Sequence, residues 1–297
     1  MATLRKKDRG TKAYYYLAHT LRNKGKIEKK ELYLGKSIPK NVEELKQRFL
    51  ARVYKERWHP LLENIKETFG KELKNTPQSA IKEELRKFVI RFTYDTQRIE
   101  GSTLTLRETA QLLEGGITPA GKPLRDVKEA EAHKLIFEEA IKKKSDLSPS
   151  NVLHWHRKLF EATKLDIAGK IRSHQVAIAG SKFMPPFPAE LYPLLREFFM
   201  WYEKHKSKMQ PVELAALVHL KLVTIHPFAD GNGRISRLMM NVVLYLKGYP
   251  MLNVPYEGRN SYYHALERAQ TKKNETIFMQ WFFKRYIKEY RRYITKK

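Results

Sequence analysis

The sequence predicts a mostly α-helical bundle with a short β-hairpin flap and a small N-terminal β-hairpin extension. Three observations lead to this fold class. Apolar residues recur at helical spacing through most of the chain beyond residue 42. Two stretches, 13–34 and 169–188, break that rhythm with alternation and turn residues. The length of 297 residues and 42% hydrophobic content supply one sizeable core plus an appendage. The expected organisation is a basic extension over 1–75, made of a hairpin and helices, followed by the main body over 76–297.

The elements follow in order. Ala13 to Leu21 is aromatic-rich, Asn23-Lys-Gly25 reads as a turn, and Lys26 to Leu34 returns as the second strand. Gly35 and Pro39 precede a helix from about Val42 to Arg57. Trp58-His-Pro60 is expected to interrupt it before a second stretch reaching Leu73. Ser79 to Thr96 is amphipathic, with Ile81, Leu85, Phe88, Val89 and Phe92 on one face. Thr105 and Glu108 fit a capping box for a helix toward Leu113. Gly115 to Gly121 is a loop, Val127 to Lys143 is helical, and Ser148-Pro149 opens the next helix. Between 169 and 188, the alternating Val176 to Ala179 and the Gly180-Ser181 turn predict a short hairpin ending in a proline-rich loop. Helices then run over Glu190 to His205, Pro211 to Ile225, the stretch ending at Lys247 before Gly248, Arg259 to Gln270 and Ile277 to Tyr290.

The absence of cysteine excludes disulfides and thiolate metal sites. The longest apolar runs, such as Ala215 to Val218 and Asn241 to Leu246, are far shorter than the ~20 residues that span a bilayer, so a cytoplasmic protein is expected. The charge of +26 gathers at the ends: residues 1–60 hold 17 Lys or Arg against 6 Asp or Glu, and residues 281–297 hold 7 against 1. Such ends could steer an acidic partner, a nucleic acid or a nucleotide polyphosphate, or they could be a solubility adaptation.

The chemistry concentrates in His226-Pro-Phe-Ala-Asp-Gly-Asn-Gly-Arg-Ile-Ser-Arg237. Gly231-Asn232-Gly233 immediately precedes the periodic run Ile235, Leu238, Met239, Val242, Val243 and Leu246. The free amides of a helix start, approached closely across glycines, form a nest for phosphate. Arg234 and Arg237, three apart, lie on one side of the first turn and suit a polyphosphate. Asp230 can hold Mg²⁺ at the edge of such a nest or can simply cap the helix. His226 can accept a proton from an attacking hydroxyl, and Phe228 is the expected anchor of the loop in the core.

This stretch resembles the defining motif of the Fic family, His-x-Phe-x-Asp/Glu-Gly-Asn-Gly-Arg-x-x-Arg, with every specified position present. The resemblance extends over roughly residues 80–290. It implies His226 as general base, Asp230 as Mg²⁺ ligand, Gly231, Asn232 and Gly233 as the phosphate-binding loop, and Arg234 and Arg237 as polyphosphate contacts. The related Doc branch, whose members act as kinases, departs from the Gly-Asn-Gly-Arg portion that is intact here. Val176, Ala177, Ile178 and Ala179 lie where the family has its target-docking flap. Arg259, Tyr262 and Tyr263 resemble the nucleoside end of the pocket, where tyrosine faces could stack on adenine or serve the core instead. His219 resembles a recurring family histidine and reads as structural. Thr96-Gln-Arg-Ile-Glu100-Gly101 resembles the family's inhibitory motif, in the branch where that helix precedes the catalytic motif. Its implied role is a pairing of Glu100 with Arg237 in the place of the γ-phosphate.

The implied activity is transfer of AMP from ATP, with Mg²⁺, to a Tyr, Ser or Thr hydroxyl of a target protein, with possible self-modification and a possible homodimer. Transfer of UMP, or removal of AMP assisted by Glu100, is the nearer alternative. A nucleic-acid-binding regulatory protein with a vestigial Fic body is the alternative of another class, favoured by the basic segment 1–60.

Overall fold

Residues 2–23 and 26–294 are described by a computed structural model, in which the chain divides into two units between Glu63 and Asn64. In the first unit, β1 (Thr3–Arg9), β2 (Lys12–Asn23) and β3 (Lys26–Gly35) form an antiparallel sheet in the order β1-β2-β3. The expected hairpin is β2 with β3, and its anticipated tip at Lys24 and Gly25 lies outside the described residues. Strand β1 is an addition. All seven of its residues are exposed, so it lacks the apolar alternation by which a strand is read from sequence. Leu17 and Leu21 of β2 are buried with Ala2, Phe49 and Val53, the last two on helix α1 (Val42–Asn75).

Helix α1 runs on through Pro60, where a break was expected. Proline removes one backbone donor and strains the preceding turn, at about 3 kcal/mol. Trp58, Leu62 and Ile65 are all buried around it. At about 1.5–3 kcal/mol for each large apolar side chain buried, that face outweighs the proline.

The second unit is helical: α2 (Gln78–Ile99), α3 (Leu106–Gly115), α4 (Leu124–Lys142), α5 (Pro149–Phe160), α6 (Leu191–His205), α7 (Pro211–Ile225), α8 (Asn232–Leu246), α9 (Arg259–Thr271) and α10 (Glu275–Glu289). Its centre is the α7–α8 pair. Helix α7 packs on α6, α8 and α10, and α8 packs on α2, α4 and α5. Ile235, Leu238, Met239, Met240, Val242, Val243 and Leu244 of α8 are almost wholly excluded from water. The caps follow the sequence signals. Thr105 and Glu108 form the reciprocal capping box, Ser148 accepts from the Asn151 amide with Pro149 in the first turn, and Gln210 caps α7 ahead of Pro211. Gly248, at φ +72°, ends the run beyond α8.

The segment 169–188 has a hairpin's turn without its ladder. The Ser181 amide donates to the Ile178 carbonyl at 3.0 Å across Gly180, which has φ +73°, yet the two limbs carry no strand pairing. Pro185, Pro186 and Pro188 explain this, because they have no N–H to contribute. Side chains hold the limbs instead: Gln175 Nε2 donates to the Pro185 carbonyl at 2.9 Å and Arg172 Nη2 to the Pro186 carbonyl at 2.6 Å. Among the described residues, no helix is long and apolar enough to cross a membrane.

Candidate functional site

The α7–α8 connection forms the site. His226 ends α7 in the left-handed region, at φ 52° and ψ 55°, and its amide still donates to the Leu222 carbonyl at 2.9 Å. That conformation is sparsely populated by residues other than glycine, and here it is held from outside. Arg172 Nε donates to the His226 carbonyl at 2.9 Å, and the Arg172 amide donates to the Pro227 carbonyl at 3.0 Å. His226 Nδ1 lies 3.2 Å from the Val223 carbonyl, which can only accept. Nδ1 therefore carries the proton, and Nε2 presents a lone pair. Burial lowers the imidazole pKa and the Arg172 charge lowers it further, so the ring is neutral at neutral pH.

Phe228 anchors the loop as expected. It is fully buried and stacks on His156, with centroids 3.8 Å apart and planes 10° from parallel. Asn232 closes the loop on itself: its Oδ1 accepts from the Phe228 amide at 2.9 Å and its Nδ2 donates to the Phe228 carbonyl at 2.8 Å. His156 braces the far side, accepting at Nδ1 from the Gly169 amide at 2.9 Å and donating from Nε2 to the Asp230 carbonyl at 3.0 Å. Gly231 is required twice over. Its φ is +82°, and a Cβ there would sit 2.6 Å from Phe160 Cε2. No side chain caps α8 at Gly231, which leaves the start of the helix to an outside acceptor.

Asp230 does not cap α8 through its side chain. Its Oδ1 accepts from the Gly231 amide at 2.5 Å and from Arg234 Nη2 at 2.9 Å, and its Oδ2 pairs with Lys164 Nζ. Burial opposes ionisation, but the Arg234 and Lys164 charges outweigh it and hold the carboxyl at about 2. Arg234, expected on the polyphosphate, is buried, and Nη1 is already committed to Glu129 and to Gln97 at 3.3 Å. Its fork organises the loop from within.

Arg237 is buried beneath the helix start. Its Nη2 donates to Glu100 Oε1 at 2.5 Å and to the Thr96 carbonyl at 3.3 Å, Nε to Thr96 Oγ1 at 3.3 Å, and Nη1 to the Tyr262 hydroxyl at 3.2 Å. The sequence-expected pair of Glu100 and Arg237 is therefore present. Glu100 lies just beyond α2, and a Cβ on Gly233 would collide with its Oε1. The carboxylate thus covers Gly233, where an anion at the start of α8 would arrive.

The expectation for Tyr262 needs correction. It is 1% exposed, its hydroxyl is shared between Arg237 and His219 Nε2 at 2.9 Å, and its ring packs among His219, Phe278 and Trp281. No face is left to stack on a base. His219 is likewise structural, fully buried and depressed to about 3 by burial and then by Arg237. Tyr263 differs, being 43% exposed with its hydroxyl donating to the Ile99 carbonyl at 2.9 Å. Arg259 lies over the Tyr256 ring, 3.9 Å from its centroid. In the flap, Val176 and Ile178 are half-buried while Ala177 and Ala179 are exposed, the alternation of an extended strand.

Lys164, Glu129, Arg172, Gln97 and His156 had no signal in the sequence. They stand far from the motif along the chain, and each is an ordinary residue until the fold brings it there.

Among the described residues, no group of three or more His, Asp or Glu is arranged to hold a metal alone. A Mg²⁺ ion commonly takes one or two carboxylates and completes its shell with phosphate and water. Asp230, ionised and beside the helix start, fits that donor set.

Residues 146–244 match the Fic/DOC family. Protein adenylyltransferase Fic of Drosophila ananassae is 35% identical over 195 residues, which is 64% of this chain and 39% of the relative. The chain thus spans about two fifths of the length of the curated relatives it matches. A Fic-domain-containing signaling protein from Bacteroides thetaiotaomicron superposes with a TM-score of 0.69 at 29% identity, over 78% of this chain and 96% of the other. Fic-1 from C. elegans superposes with a TM-score of 0.72 at 27% identity, over 86% and 78%.

Proposed function

We propose that this chain acts as a member of the Fic/DOC family: its α7–α8 loop transfers AMP from ATP to a Tyr, Ser or Thr hydroxyl of a protein, and Glu100 restrains it. The observation that carries the reading is a neutral imidazole base, an ionised carboxylate and an open helix start joined in one seven-residue loop. On this reading, residues 76–297 are the catalytic domain.

The hydroxyl oxygen attacks the α-phosphorus as its proton passes to His226 Nε2. The new P–O bond forms as the bond to the bridging oxygen breaks, and pyrophosphate leaves with that electron pair. The amides of Asn232 and Gly233 receive phosphate oxygens, since that of Gly231 is held by Asp230, and their fixed dipoles favour the charge that develops. Asp230 is the residue that would hold Mg²⁺ with the nucleotide, and the ion would neutralise the departing pyrophosphate. Lys164 must then yield its place on that carboxylate. Tyr263 is the residue left to meet the nucleoside, and Val176 to Ala179 offer backbone to an extended target segment.

Glu100 acts through Arg237. While the two are paired over Gly233, an incoming phosphate meets a like charge and finds the guanidinium engaged. Incubating wild type, Glu100→Gly and Glu100→Gly/His226→Ala with Mg²⁺ and each of ATP, GTP, CTP and UTP, and reading intact mass, tests the reading. An added AMP on the single variant only, and with ATP only, is expected. An adduct that survives loss of His226 contradicts the base, and a UMP adduct would replace the nucleotide.

A further inference from the structure

The basic first unit has a surface that adenylyl transfer does not use. Residues directly opposed across an antiparallel ladder, and residues two apart along a strand, share a face. The register sets Arg5 opposite Tyr16 and Tyr16 opposite Tyr33, Lys7 opposite Tyr14, and Arg9 opposite Lys12. It also sets Ala18 opposite Glu31 and Thr20 opposite Lys29. One face therefore carries Arg5, Lys7, Arg9, Lys12 and Lys29 around Tyr14, Tyr16 and Tyr33, with Glu31 as its acid. The other face of β2 turns Leu17 and Leu21 into the core, so the tyrosines are not needed to cover it.

Their rings cluster on the solvent side. Tyr33 is 51% exposed and lies 5.2 Å from Tyr16 and 6.3 Å from Tyr14. Lys7 Nζ sits 4.5 Å over the Tyr16 ring and 2.8 Å from Glu31, which Lys29 also reaches at 2.7 Å. Arg5, Arg9 and Lys12 have no carboxylate in salt-bridge reach among the described residues. The face thus keeps a net charge of four. Along β1 its cations recur every ~6.8 Å, a run that a single small anion cannot satisfy but that a strand charged every ~3.4 Å can. Flat rings interleaved with such cations add affinity for bases, each of which has a ring face to stack.

We propose that the solvent face of the β1–β3 sheet binds nucleic acid, with the Arg and Lys side chains on phosphates and the tyrosines beside the bases. The charge of residues 1–60 as a whole is a compositional fact. The pairing of cations with tyrosines on one face, away from the core, is what identifies a surface.

The test uses the full chain, a short fluorescein-labelled DNA strand and its duplex, with anisotropy as the readout. About four phosphate contacts predict that affinity falls roughly 50- to 150-fold between about 50 and 200 mM salt. Arg5→Glu/Arg9→Glu/Lys12→Glu should abolish binding. Arg107→Glu/Lys128→Glu/Lys142→Glu, an equal change of charge at exposed helix positions, should leave most of it, and circular dichroism checks that both variants fold. Tyr16→Ala/Tyr33→Ala should lose about tenfold or more on the single strand and little on the duplex, because stacking adds affinity only where bases are unpaired; unchanged binding of the single strand overturns the placement of the tyrosines beside bases. Absence of salt-dependent binding overturns the proposal. So does an equal loss in the two charge variants, or binding of phosphatidylserine vesicles in place of either DNA.

Discussion

Replacing Glu100 by glycine should tighten nucleotide binding while loosening the protein. The Glu100–Arg237 contact is a 2.5 Å charge-assisted bond with Arg237 1% exposed, and such bonds contribute about 1.5–3 kcal/mol. A phosphate that must displace it forfeits that amount. Removing the carboxylate should lower the Kd for a non-hydrolysable ATP analogue by roughly 10- to 100-fold, at about 1.4 kcal/mol per decade. The same change leaves a buried guanidinium without its counter-charge. Breaking a fully buried pair costs about 3–5 kcal/mol, and the partial exposure of Glu100, together with the remaining Thr96 and Tyr262 contacts, brings this to about 2 kcal/mol, or roughly 5 °C in Tm. Saturating nucleotide should restore the melting temperature, because phosphate then supplies the missing charge. Isothermal titration calorimetry and thermal melts read both effects. A Kd within about twofold of wild type would refute the reasoning, since Glu100 and nucleotide would not be competing for Arg237.

Three further outcomes follow from the same geometry. Phe228→Ala should lower stability by about 3–5 kcal/mol in urea unfolding, because a fully buried ring stacked at 3.8 Å on His156 leaves a cavity behind the loop; a loss below about 1 kcal/mol would contradict its anchoring role. The rate of Glu100→Gly against pH should hold level through neutrality and fall only as pH drops through a His226 pKa below the ordinary ~6.5, since burial favours the neutral base; a half-maximal point above about 7 would contradict the burial argument. Adding Gly233→Ala to Glu100→Gly should weaken analogue binding by more than about tenfold, because the methyl group occupies the approach that Glu100 vacated and crowds Arg237 Nη1 at 3.0 Å; unchanged calorimetric affinity would show that phosphate enters elsewhere.

Much of the fold was legible because its signals are local. The capping box at Thr105 and Glu108, the Pro211 start and the Gly248 stop each depend on a few neighbouring residues, and the helices lie where periodicity put them. The departures have long-range causes. Burial on both sides of Pro60 carries α1 through a residue that disfavours helix locally, and β1 exists because β2 offers it an edge, with no apolar pattern of its own. At the site, His226, Asp230 and Arg237 stood out because one twelve-residue motif holds them, and Glu100 because it sits in a short motif of its own at 96–101. The residues that make them work could not. Arg172 fixing the His226 carbonyl, Lys164 and Glu129 sharing the Asp230–Arg234 network, and His156 bracing the Asp230 carbonyl are contacts that α4, α5 and the chain beyond α5 make with the α7–α8 connection and the start of α8. For Tyr262 the sequence left stacking on a base and a core role both open, and its burial assigns it to the core.

The most direct test of the central claim is which phosphate of ATP is transferred. Glu100→Gly protein incubated with Mg²⁺ and ATP labelled at the α-position or at the γ-position, then denatured and digested, reports this through label on peptides. Adenylyl transfer predicts label from the α-position alone, on a Tyr, Ser or Thr side chain, and its loss when His226 is also replaced by alanine. Label from the γ-position alone would contradict the account and make the same loop a kinase.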